Sequence, residues 1–94
     1  MILLTALLLA PSGLVIRGGT VYDGSGKPPV RRDIRVENGT IVAIGDISAK
    51  PGDEVIDAKG LAVAPGFIDA HSHGDGGIFD NRTADTQVRQ GITT

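Results

Sequence analysis

The run Leu61-Ala62-Val63-Ala64-Pro65-Gly66-Phe67-Ile68-Asp69-Ala70-His71-Ser72-His73 is where this 94-residue sequence turns from apolar to imidazole-bearing. It reads as a buried strand that delivers two histidines. Successive side chains on a strand alternate faces, so Phe67, Asp69, His71 and His73 share one face, while Ile68, Ala70 and Ser72 share the other. Imidazoles at i and i+2 at a strand's carboxyl end can reach one ion about 2.0 to 2.1 Å from each nitrogen, the first half of a zinc site. His-x-His alone is a weak signal, and a pair of solvated surface histidines is the competing reading. Context favours the metal. An apolar strand leads in, the Gly74-Asp75-Gly76-Gly77 loop follows, and the chain has no cysteine to form another kind of site.

Composition limits what surrounds this stretch. With 94 residues and 40% hydrophobic side chains, the chain can build one small core at most. Tyr22, Phe67 and Phe79 are the only aromatics and glycine occurs 14 times, so the core is built from Val, Ile, Leu and Ala and cut by turns. That favours β structure with tight connections. The net charge is -2, from nine basic and eleven acidic residues spread along the chain, which leaves no basic footprint for nucleic acid.

At the amino terminus, Ile2 to Leu9 is apolar apart from Thr5. Such a run is far short of the roughly 20 residues a membrane-spanning helix needs. It matches the apolar centre of an export signal. Ala10 and Ser12 have the spacing of the small residues before a cleavage point, which puts the cut after Ser12, although Pro11 between them leaves the bond open. No Lys or Arg precedes the run, a departure from that pattern, and a first strand or helix of the domain is the other reading. Residues 1–12 are therefore expected to be a signal peptide of an exported protein, periplasmic or secreted. Without that signal the protein is expected in the cytoplasm.

Short strands follow. Leu14-Val15-Ile16-Arg17 is a β-branched run that Gly18-Gly19 is expected to stop and Thr20-Val21-Tyr22 to resume, before a loop from Asp23 to Pro29. In Asp33-Ile34-Arg35-Val36 the apolar residues fall on one face, and after Asn38-Gly39 the run Ile41-Val42-Ala43-Ile44 returns. Asn-Gly between two such runs predicts a hairpin, because both positions tolerate the positive φ of a type I′ turn. Glu54-Val55-Ile56-Asp57 is a further strand, and Ala58-Lys59-Gly60 a turn before the central run. Beyond the histidines, Thr83 to Gln90 predicts a short helix capped by Asn81 or Thr83, with Ala84 and Val88 on one face and Gly91 just past its end. Ile92-Thr93-Thr94 then begins a strand. Strand, loop, helix, strand is the βαβ order, which implies parallel pairing. Asp75 is placed to accept an imidazole N–H from behind, with a solvated turn aspartate as the alternative.

Four ordered blocks carry a resemblance. Val15-Ile16-Arg17-Gly18-Gly19-Thr20-Val21-Tyr22-Asp23-Gly24, Val36-Glu37-Asn38-Gly39-Thr40-Ile41-Val42-Ala43-Ile44-Gly45, Val55-Ile56-Asp57-Ala58-Lys59-Gly60 and Ala64-Pro65-Gly66-Phe67-Ile68-Asp69-Ala70-His71-Ser72-His73 together resemble the amino-terminal part of the amidohydrolase superfamily. The resemblance covers about Leu14 to Thr94. It looks most like the N-acyl-D-amino-acid deacylases, helped by Gln90-Gly91-Ile92-Thr93-Thr94, while dihydroorotase, dihydropyrimidinase and other cyclic-amide hydrolases share the earlier blocks.

The resemblance implies a mostly β chain with one or two helices. Residues 13–62 would form an amino-terminal β-sandwich portion, and 63–94 would open a TIM-type (β/α)8 barrel, which takes about 250 residues and is incomplete here. It carries His71 and His73 over as ligands of zinc or another divalent metal ion, which activates water against the amide bond of a small-molecule substrate. Asp69 would give hydrogen-bonding support behind the histidines, with a buried structural acceptor as the alternative. The general base and the remaining ligands lie outside these residues, so no catalytic residue is assigned within the chain, and the 94 residues alone are expected to be inactive. The alternatives are a cyclic-amide hydrolase and a non-catalytic β-sandwich binding module.

Overall fold

The computed structural model describes residues 12–94, so the expected export signal lies, but for Ser12, outside the described residues. The chain divides into two compact units, one ending at Val63 and one running from Ala64 to Thr94. Among the described residues it is mostly β, with one short helix.

The first unit is a five-stranded sheet of β1 (Leu14–Val21), β2 (Val30–Glu37), β3 (Thr40–Gly45), β4 (Glu54–Asp57) and β5 (Ala62–Val63). β1 is its hub. On one side it pairs antiparallel with β2. On the other it pairs in parallel with two strands in turn, β4 from Leu14↔Glu54 to Arg17↔Asp57 and β5 at Thr20↔Ala62 and Val21↔Val63. The turn at Ala58-Lys59-Gly60 carries the chain along this shared edge: the Ala58 N–H donates to the Arg17 carbonyl at 2.8 Å, and the Thr20 N–H donates to the Leu61 carbonyl at 2.9 Å.

Gly18-Gly19 does not stop the strand, as the sequence led us to expect. The register with β2 shifts between Ile16 and Gly19, so the glycines form a bulge inside one continuous strand. A bulge absorbs an extra residue and sharpens the twist without ending the ladder. Asp33 holds it in place, accepting the Gly18 N–H at 2.8 Å on Oδ1 and the Ile47 N–H at 3.0 Å on Oδ2. The Ile47 and Gly18 donors hold the Asp33 carboxyl below the usual carboxylate range. The β2-β3 hairpin forms as predicted, with φ of 49° at Asn38 and 74° at Gly39, the left-handed pair of a type I′ turn.

Directly paired residues share a sheet face, and the registers line up Ile44, Ile34, Ile16 and Ile56 across four strands. Ile34 is buried, while the ends of the row, Ile44 and Ile56, are 56% and 45% exposed. Arg35, on the opposite face with Val15, is only 7% exposed. A guanidinium is tolerated there because it is fully engaged. Its two Nη atoms donate to the two carboxylate oxygens of Asp53 at 2.6 and 3.0 Å, and its Nε donates to Glu37 Oε1 at 2.7 Å. Asp53 also accepts the Gly13 N–H at 2.9 Å and the Lys50 N–H at 2.6 Å. Arg35 first, then the Lys50 amide, hold the Asp53 carboxyl well below its ordinary range, and Asp53 with Glu37 keeps Arg35 firmly protonated.

In the second unit, Phe67 pairs in parallel with Ile92. The Phe67 N–H donates to the Gly91 carbonyl at 2.8 Å, the Thr93 N–H to the Phe67 carbonyl at 2.9 Å, and the Asp69 N–H to the Thr94 carbonyl at 2.7 Å. Between the paired segments lies α1 (Asp85–Arg89). It is shorter than the predicted Thr83 to Gln90, and neither expected cap is used: Ala84 precedes it with φ 47° and no side-chain cap, while Thr83 Oγ1 donates to Asn81 Oδ1 at 2.9 Å. The carboxyl end is as predicted. Gly91 has φ 80°, and the Ile92 N–H reaches the Gln87 carbonyl while the Gly91 N–H reaches that of Val88, the paired bonds of a Schellman closure.

The central run departs from the buried strand expected of it. Strand structure covers Ala62–Val63 and then lapses until the bridge at Phe67, and Leu61, Phe67 and Ile68 are 59%, 61% and 75% exposed. Pro65 has no N–H to give a ladder, and the pairing with β1 ends at Val63. No helix among the described residues is long and apolar enough to cross a membrane.

Candidate functional site

Pairing in the second unit ends at Asp69, and the two histidines follow on the bend it leads into. Asp69 shapes that bend by accepting the His71 backbone N–H at 3.2 Å on Oδ1, an Asx turn that the short carboxylate favours. One residue on, Ser72 Oγ accepts the Gly74 N–H at 2.9 Å, and the Gly76 N–H then donates to the His73 carbonyl at 3.1 Å. Two overlapping local turns therefore set the directions of His71 and His73. The sequence placed them on a strand, but local side-chain bonds rather than a ladder bring them together.

They do come together. The ring centroids are 5.3 Å apart with the planes at 85°, edge to face, and both side chains are exposed. Two imidazoles bound to one tetrahedral zinc ion at about 2.0 to 2.1 Å per nitrogen have centroids roughly 5 Å apart. The observed separation meets that requirement. Neutral imidazole is also a donor that suits zinc and its neighbours in the transition series. In ring separation and donor type the pair suits a divalent cation as half of a ligand set, and among the described residues no group of three or more His, Asp or Glu side chains completes it.

The two carboxylates that the sequence placed near the histidines have other surroundings. Asp69 bonds the His71 backbone, and Asp75 lies in the following turn, where its carbonyl accepts the Ile78 N–H at 3.3 Å. Neither side chain bonds an imidazole among the described residues. The role of Ser72 was not legible in the sequence, because an alternating strand assigns it to the far face. A Ser two residues before Gly is the local signal that would have found its turn.

A family model described as "Amidohydrolase family" matches residues 54–93. Over those residues the chain is similar to that family. It is 48% identical over 85 residues to the N-acyl-D-aspartate deacylase of Alcaligenes xylosoxydans, a match that covers 90% of this chain and 17% of that protein. Its fold matches the N-acyl-D-glutamate deacylase of Bordetella bronchiseptica, crystallised with zinc and a phosphonate inhibitor, at a TM-score of 0.77 and 42% identity over 85% of this chain and 17% of that one. The dihydroorotase of Bacillus pumilus is 49% identical over 59 residues, 63% of this chain and 14% of that protein. The chain thus spans less than a fifth of the length of each of these relatives.

Proposed function

We propose that this sequence is part of a metal-dependent amidohydrolase that cleaves the C–N amide bond of N-acyl-D-amino acids, with His71 and His73 as two ligands of zinc or another divalent cation. The observation that carries this reading is the imidazole pair, 5.3 Å apart, just past a segment paired in parallel at Phe67↔Ile92. Reach supports the deacylase branch over the cyclic-amide hydrolases: similarity to the deacylase extends over 85 residues, against 59 for the dihydroorotase. On this reading, residues 13–62 are an amino-terminal β-sandwich portion and 63–94 open a TIM-type barrel. Residues 1–12 direct export.

When bound, the cation supplies Lewis acidity toward a water molecule and the scissile carbonyl. The chain's own contribution is positional. His71 and His73 offer neutral ring nitrogens, and the Asp69 and Ser72 turns fix the backbone from which those rings project. The general base and further ligands come from residues outside this sequence. The 94-residue polypeptide alone is accordingly expected to be inactive.

The test is an assay of the protein carrying this sequence on N-acetyl-D-aspartate, N-acetyl-D-glutamate and neutral N-acetyl-D-amino acids beside hydantoin and dihydroorotate, with and without chelator. Chelator-sensitive deacylation of a D-substrate is expected. Turnover confined to the cyclic amides would move the assignment to the other branch, and chelator-resistant deacylation would remove the metal.

A further inference from the structure

A polar cluster in the sheet has no part in the proposed chemistry. Asp53 accepts four donors on its two carboxylate oxygens, the Gly13 N–H, the Lys50 N–H and both Nη groups of Arg35. Its side chain is 2% exposed, that of Arg35 is 8% exposed, and Glu37, on Arg35 Nε, is 38% exposed. One positive and two negative side chains leave this cluster with a net negative charge, and the Gly13 nitrogen lies in hydrogen-bond contact with one of its carboxylates, Asp53. Lys50 contributes its backbone N–H, and Glu54, the next residue in β4, contributes an N–H that donates to the Gly13 carbonyl at 2.9 Å. The space around Gly13 is closed: a Cβ there would lie 2.7 Å from Arg35 Nη2 and 3.1 Å from Asp53 Oδ1.

Directly before this socket, the sequence runs Ala10-Pro11-Ser12, with small residues at the spacing that precedes cleavage of an export signal. Ser12 is exposed while Gly13 is buried. We propose that Ser12-Gly13 is a processing site, and that the α-ammonium of Gly13 created by the cut docks on Asp53 and neutralises the Arg35-Asp53-Glu37 cluster. The proposal rests on the export reading above. The reaction is hydrolysis by a signal-peptide endopeptidase during translocation, before the sheet forms. Water adds at the Ser12 carbonyl carbon, the C–N bond to Gly13 breaks, the released peptide keeps the Ser12 carboxylate, and the Gly13 nitrogen takes up a proton.

The new terminus needs no new geometry. One ammonium N–H keeps the existing 2.9 Å bond to Asp53, the others face where Ser12 was, and the Glu54 bond holds Gly13 in the sheet. Charge-assisted bonds of this kind are about twice as strong as neutral ones, so processing strengthens a contact already present. The steric limit makes glycine the residue that fits this first position.

The experiment is to express the protein carrying this sequence in an exporting bacterial host, and to read the amino terminus of the exported form by sequencing and intact mass. A terminus at Gly13 is expected. An exported form that begins at another residue overturns the processing site and leaves export standing, whereas protein found only in the cytoplasm with Met1 in place overturns both. Docking is read separately, by acylation of the α-amine at neutral pH in the protein that begins at Gly13. The folded protein should react at least about tenfold more slowly than the same protein in denaturant, since an adjacent carboxylate shifts the amine by about one pK unit or more. Glu37→Gln, at the exposed rim, should recover part of that rate, and Asp53→Asn more of it where the variant folds. Equal rates in the folded and unfolded protein would overturn the docking.

Discussion

The sheet that ends at Val63 and the segment that begins at Ala64 differ in how far their polar groups reach for partners. In the sheet, Asp53 joins Gly13 across 40 residues of sequence and Arg35 across 18, and Asp33 joins Gly18 across 15. Around the histidines the side-chain bonds span two residues, Asp69 to His71 and Ser72 to Gly74. Long-range bonds form only when the whole sheet forms, so they specify a fold. Bonds between near neighbours specify a direction for a side chain and little more. Stability and chemistry are thus assigned to different stretches of this chain, and substitutions should separate them.

The largest effect is expected from His71→Ala with His73→Ala in the protein carrying this sequence. The pair should lower kcat/KM by a factor on the order of a hundred or more, because loss of groups that merely support a ligand already costs about 10- to 100-fold. The apo protein should keep its thermal midpoint. A large fall in that midpoint would show the histidines to be structural and would break the division.

Next is the sheet's ion pair. Arg35→Met or Asp53→Asn leaves a buried charge or its donors without a partner and should lower the thermal midpoint on the order of 10 °C, with kcat of the metal-loaded protein unchanged. The pH dependence follows from the same pair. The Asp53 carboxyl titrates well below its ordinary range when folded, so its contribution is complete above the unfolded carboxylate pKa and is lost only as the pH falls below that range. Acid titration followed by circular dichroism should show strand signal persisting below about pH 4 in the native protein. Asp53→Asn should lose that acid dependence.

These contrasts also explain what was legible in the sequence. Asn38-Gly39 and Gly91 could be read because their φ angles are local demands that particular residues answer. The βαβ order could be read from pattern alone, and parallel pairing at Phe67↔Ile92 followed. Arg35 could not be read as buried, because nothing near it announces Asp53. Gly18-Gly19 looked like a stop because the carboxylate that holds the bulge is Asp33, on the next strand. The apolar run from Leu61 to Ile68 was read as buried because burial was inferred from composition, yet burial depends on what packs against a segment, and Ile68 is 75% exposed. The histidines come together as expected, but by another route: they converge through turns made by Asp69 and Ser72, not through strand alternation.

A smaller effect should come from Gly91→Ala. A left-handed residue with φ 80° closes the helix there, and an added Cβ would meet Phe67 Cδ2 at 3.3 Å, so a loss of about 1 kcal/mol is expected. Amide exchange should quicken at Ile92 and Thr93 and stay unchanged in β1 and β2. Exchange that quickens in the sheet as well would show the two stretches to be one cooperative unit. The smallest effect is expected from Thr83→Ala. Thr83 bonds Asn81 and caps no helix, so the change should stay within about 0.5 kcal/mol, whereas a loss near 1 kcal/mol would reveal a cap.

The central claim is that His71 and His73 hold a metal ion, and the direct measurement is zinc content with X-ray absorption at the zinc edge. The protein carrying this sequence should retain zinc through dialysis and show imidazole scattering, and the His71→Ala, His73→Ala protein should lose both while remaining folded. Equal zinc content and unchanged imidazole scattering in the folded double variant would contradict the assignment.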